Sequence, residues 1–357
     1  MVSVRAVAGF AALVGVVAAG GRGAGQTPDG ALADAVTAQS STELTELYRP
    51  NAFAPLWLAG EGRLTDSGRD ALRLLAFANS DGLSPDDYAV RALREQAESI
   101  EKGSAGADDR AHFDVALSAS MLAYLHDLQS GRRNARRTAA SPVDSASAGL
   151  PGQLRAAAAS RQVVGLVTAS RPHDPQYALL SSALARYRES TLRNVPPLKP
   201  GHPTVHPGDR FDALERLWSY LVIVGDAPAD SVTPSDDRYT GVVVDAVKHF
   251  QRRHALDPDG VIGPRTMAEL SVPLSWRVRQ IELAMERLRW LPRRGAEQRL
   301  VIVNIPMFTL SAWETLPPSS APAFSTRVIV GKAVKTETPM FEAVLTEILF
   351  RPYWNVP

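Results

Sequence analysis

No cysteine occurs in the 357 residues. That absence excludes disulfides, thiolate-bound metal, a lipid-modified cysteine behind a signal, and thiol catalysis by this polypeptide. Histidine is scarce as well, with seven residues, all at or before His254. Surplus charge is missing too. The balance of 39 Lys+Arg against 38 Asp+Glu leaves a formal net charge of +1, which excludes attachment to nucleic acid through bulk charge. Long apolar runs are also wanting: Ala6–Ala19 spans 14 residues, against about 20 for a helix that crosses a bilayer. What is present is a 45% hydrophobic fraction, too high for a disordered chain. At roughly 100–200 residues per domain, the length predicts two or three folding units.

The run Ala6–Ala19 follows Arg5 and precedes the small residues Ala18–Gly20 and Gly23–Gly25. That is the pattern of an export signal over residues 1–25. A retained signal anchor is the competing reading, in which this segment alone would touch the membrane. Either way the protein is expected in the periplasm or cell envelope.

Helical periodicity dominates residues 26–206, which read as a helical scaffold domain. Thr65 is placed to cap a helix carrying Leu72, Leu75, Ala76 and Asn79, closed by Gly82. Phe113, Leu117, Met121, Tyr124, Leu125 and Leu128 form a core-facing stripe that stops at Gly131. A third stripe is Tyr177, Leu180, Leu184 and Tyr187. Arg132–Arg137 reads as a solvated basic face, with contact to an acidic polymer as the alternative, and residues 138–150 as loop. A cluster from Pro196 to Gly208 interrupts the helices.

Residues 207–273 read as a small three-helix unit. Asp209 is the expected N-cap of a helix through Phe211, Leu214, Leu217 and Leu221. Val243, Val247 and Phe250 mark a second helix, Asp257–Gly260 a turn, and Gly263-Pro264 the start of a third with Met267 and Leu270 facing inward. Residues 274–298 read as a connecting helix capped by Ser275, with Ile281, Met285 and Leu288 on its inner face. Beyond Arg299 the period changes. Leu300–Ile305, Arg327–Val330 and Val344–Phe350 carry strand signals. The fold class is therefore a multidomain α + β chain, helical first and β-rich over residues 299–357.

Few residues bid for chemistry. His249 and His254 stand five apart, on divergent helix faces, and read as surface or helix-end residues rather than metal ligands. Asp257 and Asp259 suit a turn better than a calcium loop. Neither Glu342 with Glu347 nor Asp212 with Glu215 marks a hydrolase carboxylate pair. No G-x-S-x-G turn occurs. Neither a metal nor a cofactor is expected.

Tyr239–Leu270 (YTGVVVDAVKHFQRRHALDPDGVIGPRTMAEL) resembles a three-helix peptidoglycan-binding domain, in its A-V-x-x-F-Q run and its D-G-x-x-G-P-x-T-M turn and helix start. Leu300–Leu310, Arg327–Lys332, Thr338-Pro339 and Phe350–Pro357 resemble the opening strands of an L,D-transpeptidase (YkuD-type) catalytic domain. Trp57, Asp81–Tyr88 and Leu128–Arg132 are similar to the scaffold of that family's large periplasmic members. The resemblance implies peptidoglycan cross-linking, with stem peptides and glycan strands as partners and a thiolate with its histidine as machinery. Tyr353 and Trp354 are the substrate-binding residues it implies, at the base of a lid over the donor peptide; a tryptophan buried against the strand ends is the competing reading. No catalytic residue can be assigned, because the family's His…Ser-x-Gly-Cys-x-Arg motif is absent. Two readings follow: a chain truncated short of its catalytic motif, or a non-catalytic peptidoglycan-binding envelope protein.

Overall fold

The computed structural model describes residues 28–60, 62–132, 149–192, 198, 203–228, 237–291, 299–314, 322–332, 334–339 and 343–347. In chain order the helices are α1 (Pro28–Ala38), α2 (Thr42–Tyr48), α3 (Asp66–Ala76), α4 (Val90–Glu101), α5 (Ala107–Ser130), α6 (Leu150–Ala159), α7 (Val163–Ser170), α8 (Pro175–Leu192), α9 (Leu214–Val224), α10 (Gly241–Arg253), α11 (Pro264–Leu270) and α12 (Leu274–Arg289). The strands are β1 (Leu58–Ala59), β2 (Arg63–Leu64), β3 (Leu300–Asn304), β4 (Thr309–Trp313) and β5 (Phe324–Arg327). The described residues are thus mostly helical, with two small antiparallel sheets.

The stripe on α5 is the axis of the first core. Phe113, Leu117, Met121, Tyr124, Leu125 and Leu128 are all buried, and α1, α3, α4 and α7 pack around them. Thr65 caps α3 as its sequence predicts, its hydroxyl accepting the Gly68 N–H at 3.0 Å. A buried carboxylate pins the entry to this core. Asp114 Oδ1 accepts from the Tyr48 hydroxyl at 2.7 Å and the Leu56 N–H at 2.9 Å, and Oδ2 from the Trp57 N–H at 2.9 Å. Burial pushes the Asp114 pKa up, and the Tyr48 hydroxyl and the backbone donors pull against it. The Trp57 indole donates to Ser118 Oγ at 2.8 Å, so the buried tryptophan leaves no polar atom unpaired.

A second core lies between α9, α10 and α11 and draws in Tyr187 of α8 together with Leu198 and Val205. Between the two cores, Tyr177 and Leu184 of α8 bury Met285 of α12. Helices α8 and α12 therefore run side by side as a strut from one core to the other.

Several boundaries differ from the sequence expectation. Asp209 does not cap α9. Its carboxylate accepts the His206 N–H at 2.7 Å, and neighbouring Arg210 bridges Arg238, so extended pairing claims the segment and the helix starts at Leu214. Ser275 lies inside α12, whose N-cap is Pro273. In the second sheet, ordered β3-β4-β5, β5 covers Phe324–Arg327 and ends where a strand from Arg327 is expected; β4 has no separate sequence signal. Residues 343–347 carry no strand, and residues 348–350 of that expected strand lie outside the described residues. No residue of this sheet is fully buried, and β5 is exposed throughout. Apolar alternation marked the region as β-type, but nothing among the described residues covers either face.

Candidate functional site

Two parts of the molecule concentrate polar side chains in buried, fully bonded arrangements. One is the turn of the three-helix unit. Gln251, near the end of α10, is 1% exposed. Its Oε1 accepts the Gly260 N–H at 2.9 Å; its Nε2 donates to Asp259 Oδ1 and to the Val261 carbonyl, both at 3.0 Å. Asp259 Oδ1 also accepts the Val261 N–H at 2.8 Å, so that carboxylate oxygen is committed to the turn itself. Gly260 has φ +78°, and a Cβ there would meet Val244 Cγ1 at 2.8 Å. Both the left-handed backbone and the close approach require glycine. The Tyr239 hydroxyl donates to the Gly260 carbonyl at 2.7 Å, and Val205 pairs with Ile262 across the same turn. The glutamine and the D-G-x-x-G-P run are thus two halves of one device. A short loop is held rigid against α10 and presents Asp257 and Pro258 to solvent.

His249 lies on the exposed side of α10 and His254 caps its end, in different surroundings. His249 is half-exposed and its Nδ1 lies 2.6 Å from Asp226 Oδ1. Asp226 also binds the guanidinium of Arg253, whose Nη1 donates to the Tyr187 hydroxyl on α8 at 3.0 Å. That chain of bonds ties the unit to the strut. His254 caps the end of α10, stacks on Phe250 with ring centroids 4.1 Å apart, and faces Glu269 at 3.3 Å with Arg277 and Arg253 nearby. Burial, then the two arginines, pull its pKa from 6.5 down to about 4, so it is neutral at pH 7.

The sign of the linkage follows. Between pH 6.5 and about 4 the unfolded chain binds a proton that the folded chain refuses, so stability is full above this window and falls as pH drops through it. Burial pushes the Glu269 carboxyl up, but Arg277 and His254 together outweigh it and hold the group below its usual range, so it adds in the same direction at lower pH. The three-helix unit is expected to lose on the order of 2 kcal/mol between pH 7 and pH 4. His254→Phe, which keeps the ring stack, is expected to flatten the pH 6.5–4 part of the curve. Urea midpoints measured across that range check it, and an unchanged slope in the variant contradicts it.

The second arrangement joins the scaffold to α12. Asp81 is 1% exposed. It accepts from Arg171 Nε at 2.8 Å and Nη2 at 2.9 Å, from the Tyr124 hydroxyl at 2.8 Å, and from the Tyr177 hydroxyl at 3.2 Å. Arg289 of α12, also 1% exposed, donates to the Asp81 carbonyl and to the Tyr177 hydroxyl. Next to it Glu286 collects the Arg132 N–H at 2.6 Å, the Trp290 indole N–H at 2.9 Å and Arg289 Nη1 at 2.8 Å. Arg132 is therefore more than part of a solvated face, since its side chain also donates to Asp87 at 2.6 Å; residues 133–137 of the cluster lie outside the described residues. Gly131 has φ +72°, and a Cβ on it would come within 2.6 Å of Trp290 and Glu286.

Asp87 and Tyr88 brace Arg132 and Asp127 from within the scaffold, while Asp81-Gly82 and Gly131-Arg132 are its half of a joint with α12. Their sequence singles them out, yet their partners lie about 150 to 200 positions further on, and no local pattern announces that pairing. Gln251, Asp226 and Arg289 carry no site expectation in the sequence. For Gln251 the signal existed: a polar residue beside Phe250 within an apolar helix stripe, eight residues before an Asp-Gly turn. Tyr353 and Trp354 lie outside the described residues, as do residues 1–25.

Comparison with known families adds two matches. Residues 42–184 match the family described as "Scaffold domain". Residues 212–270 match the family described as "Putative peptidoglycan binding domain". A search of curated proteins finds no match to the chain. The first match runs from α2 into α8, and the second covers α9 to α11 and so contains the Gln251-locked turn. Among the described residues no helix is long and apolar enough to cross a membrane.

Proposed function

We propose that the chain is an envelope protein of the L,D-transpeptidase (YkuD-type) architecture. Its residues 26–206 act as a scaffold, and residues 207–273 attach it to peptidoglycan. The connecting segment 274–298, of which Leu274–Arg289 form α12, fixes the two together, and residues 299–357 supply part of a β-rich catalytic domain. One observation carries the reading: a scaffold match and a peptidoglycan-binding match occur in that order, joined by a strut that is hydrogen-bonded to both, through Arg289 and Tyr177 to Asp81 and through Tyr187 to Arg253. Residues 1–25 are the export signal in this account, and stem peptides and glycan strands of the wall are the partners.

The same account assigns no acyl transfer to this polypeptide. Forming a thioester on a stem-peptide carbonyl needs a thiolate, a base for its proton and donors for the oxyanion. The 357 residues contain no cysteine and no histidine after His254. Purified protein incubated with a donor muropeptide is expected to show its unmodified intact mass and to yield no cross-linked product. A covalent adduct on any side chain would overturn that assignment.

A further inference from the structure

The outer face of α12 is built unlike an ordinary solvated helix face. Trp276, Arg279, Leu283 and Trp290 recur at spacings of three, four and seven residues, which sets them in one stripe. All four face solvent: Trp276 is 59% exposed, Leu283 44% and Trp290 42%. The stripe spans 15 residues, or about 21 Å of helix from end to end, the length of several sugar rings. Its C-terminal end is not a bare surface. A groove opens there between α12 and the scaffold, with Arg279, Leu283 and Trp290 on one side and Gly82 and Arg132 on the other. The Trp290 indole is held in one orientation by its N–H bond to Glu286, and Gly131 is the residue whose missing side chain lets it sit there.

We propose that this groove and stripe form a second peptidoglycan contact, taking the glycan backbone while the three-helix unit makes the first. The proposal rests on the wall-binding reading above. The choice of glycan over stem peptide follows from charge. Every ionised group in the groove is already paired within the protein: Arg132 with Asp87 at 2.6 Å, Arg279 with Glu282 at 3.2 Å, Glu282 with Arg188 at 2.7 Å, and Glu286 with Arg289 at 2.8 Å. Among the described residues that line the groove, no cation is left over for a stem-peptide carboxylate, whose desolvation would then go uncompensated there. Paired charges still offer lateral hydrogen bonds, and two exposed indoles offer flat apolar faces. A neutral, hydroxyl-rich ring with one C–H face fits both. Because the strut holds the groove in fixed relation to the three-helix unit, one strand or two neighbouring strands can be held at two points, which multiplies retention without either site being tight.

The test uses the whole chain and a soluble β-1,4-linked tetramer of N-acetylglucosamine. The sequence has six tryptophans, so the indole N–H region of a nitrogen-15 spectrum resolves the site. Titration is expected to move two indole signals, those that Trp276→Phe and Trp290→Phe identify. Trp290→Ala should weaken the tetramer at least tenfold and Trp290→Phe less than threefold. Trp276→Ala, at a site without structural bonds, should weaken it severalfold with folding intact. Retention of these variants on purified sacculi should persist through the three-helix unit. Overturning results are a titration to millimolar tetramer that leaves both signals unmoved, a sugar-free stem peptide that moves them instead, or a Trp290→Ala variant that binds as wild type. Loss of sacculus retention by the wild-type chain is a different failure, and would strike the wall-binding reading rather than this one.

Discussion

Replacing Asp81 with alanine is expected to destabilise the scaffold by about 3–5 kcal/mol, the usual cost of removing one partner from a buried ion pair. The carboxylate is the only anion among the groups that bond it: Arg171, Tyr124 and Tyr177 all donate to it. Without it the Arg171 guanidinium loses its partner, and two buried hydroxyls lose their acceptor. Asp81→Asn keeps the shape and part of the bonding but not the charge, so it should fall between wild type and alanine. The variant should also loosen the strut, because Arg289 binds the backbone carbonyl of the same residue. Urea titration gives the energy, and hydrogen exchange in α12 reports the loosening. A loss below about 1 kcal/mol, the level of an exposed pair, would mean that this node does not join the two parts.

Gln251→Ala is expected to have the second largest effect, and a more local one. Its loss leaves the buried Gly260 N–H without a partner, leaves the Val261 carbonyl with only the Thr266 hydroxyl at 3.3 Å, and opens a cavity beneath Asp259. One unsatisfied buried donor costs about 1–3 kcal/mol and the cavity adds to it, so roughly 2–4 kcal/mol should go from the three-helix unit. The scaffold core, built on different residues, should keep its stability. Retention on sacculi should fall in parallel with the unit's folding. Gln251→Glu separates the two roles: it keeps the acceptor for Gly260 and loses the donor to Val261 and Asp259, so it should be intermediate. Equal loss across both cores would contradict the division of the molecule at α8.

Most of the helical fold was readable because burial leaves a period. The stripe of α5, the Thr65 cap, Gly131 at the helix end and the proline-started α11 all depend on neighbours within four residues, and all stand in the structure. Where a distant segment competes, local reading failed. Asp209 looked like a cap, but pairing of Arg210 with Arg238 across the chain delays α9 to Leu214. Ser275 looked like a cap for the same local reason, and Pro273 takes that place. Of the expected strand stretches, Leu300–Ile305 forms β3, Arg327–Val330 meets a strand only at Arg327, and residues 343–347 form none; β4 and the start of β5 depend on pairing register, which single-strand alternation does not encode. The binding-domain motif was legible as a resemblance. Its physical content, a glutamine that bonds both sides of a turn, needed coordinates, as did the meeting of Asp81 and Gly131 with α12.

The most direct test of the account is co-sedimentation of the full chain with purified sacculi, scored with a competing excess of soluble muropeptides. The account predicts that the protein pellets with the sacculi, is released by the soluble fragments, and leaves the cross-link content of the sacculi unchanged. Protein that stays in the supernatant at every sacculus concentration, or sacculi that gain cross-links, would contradict it.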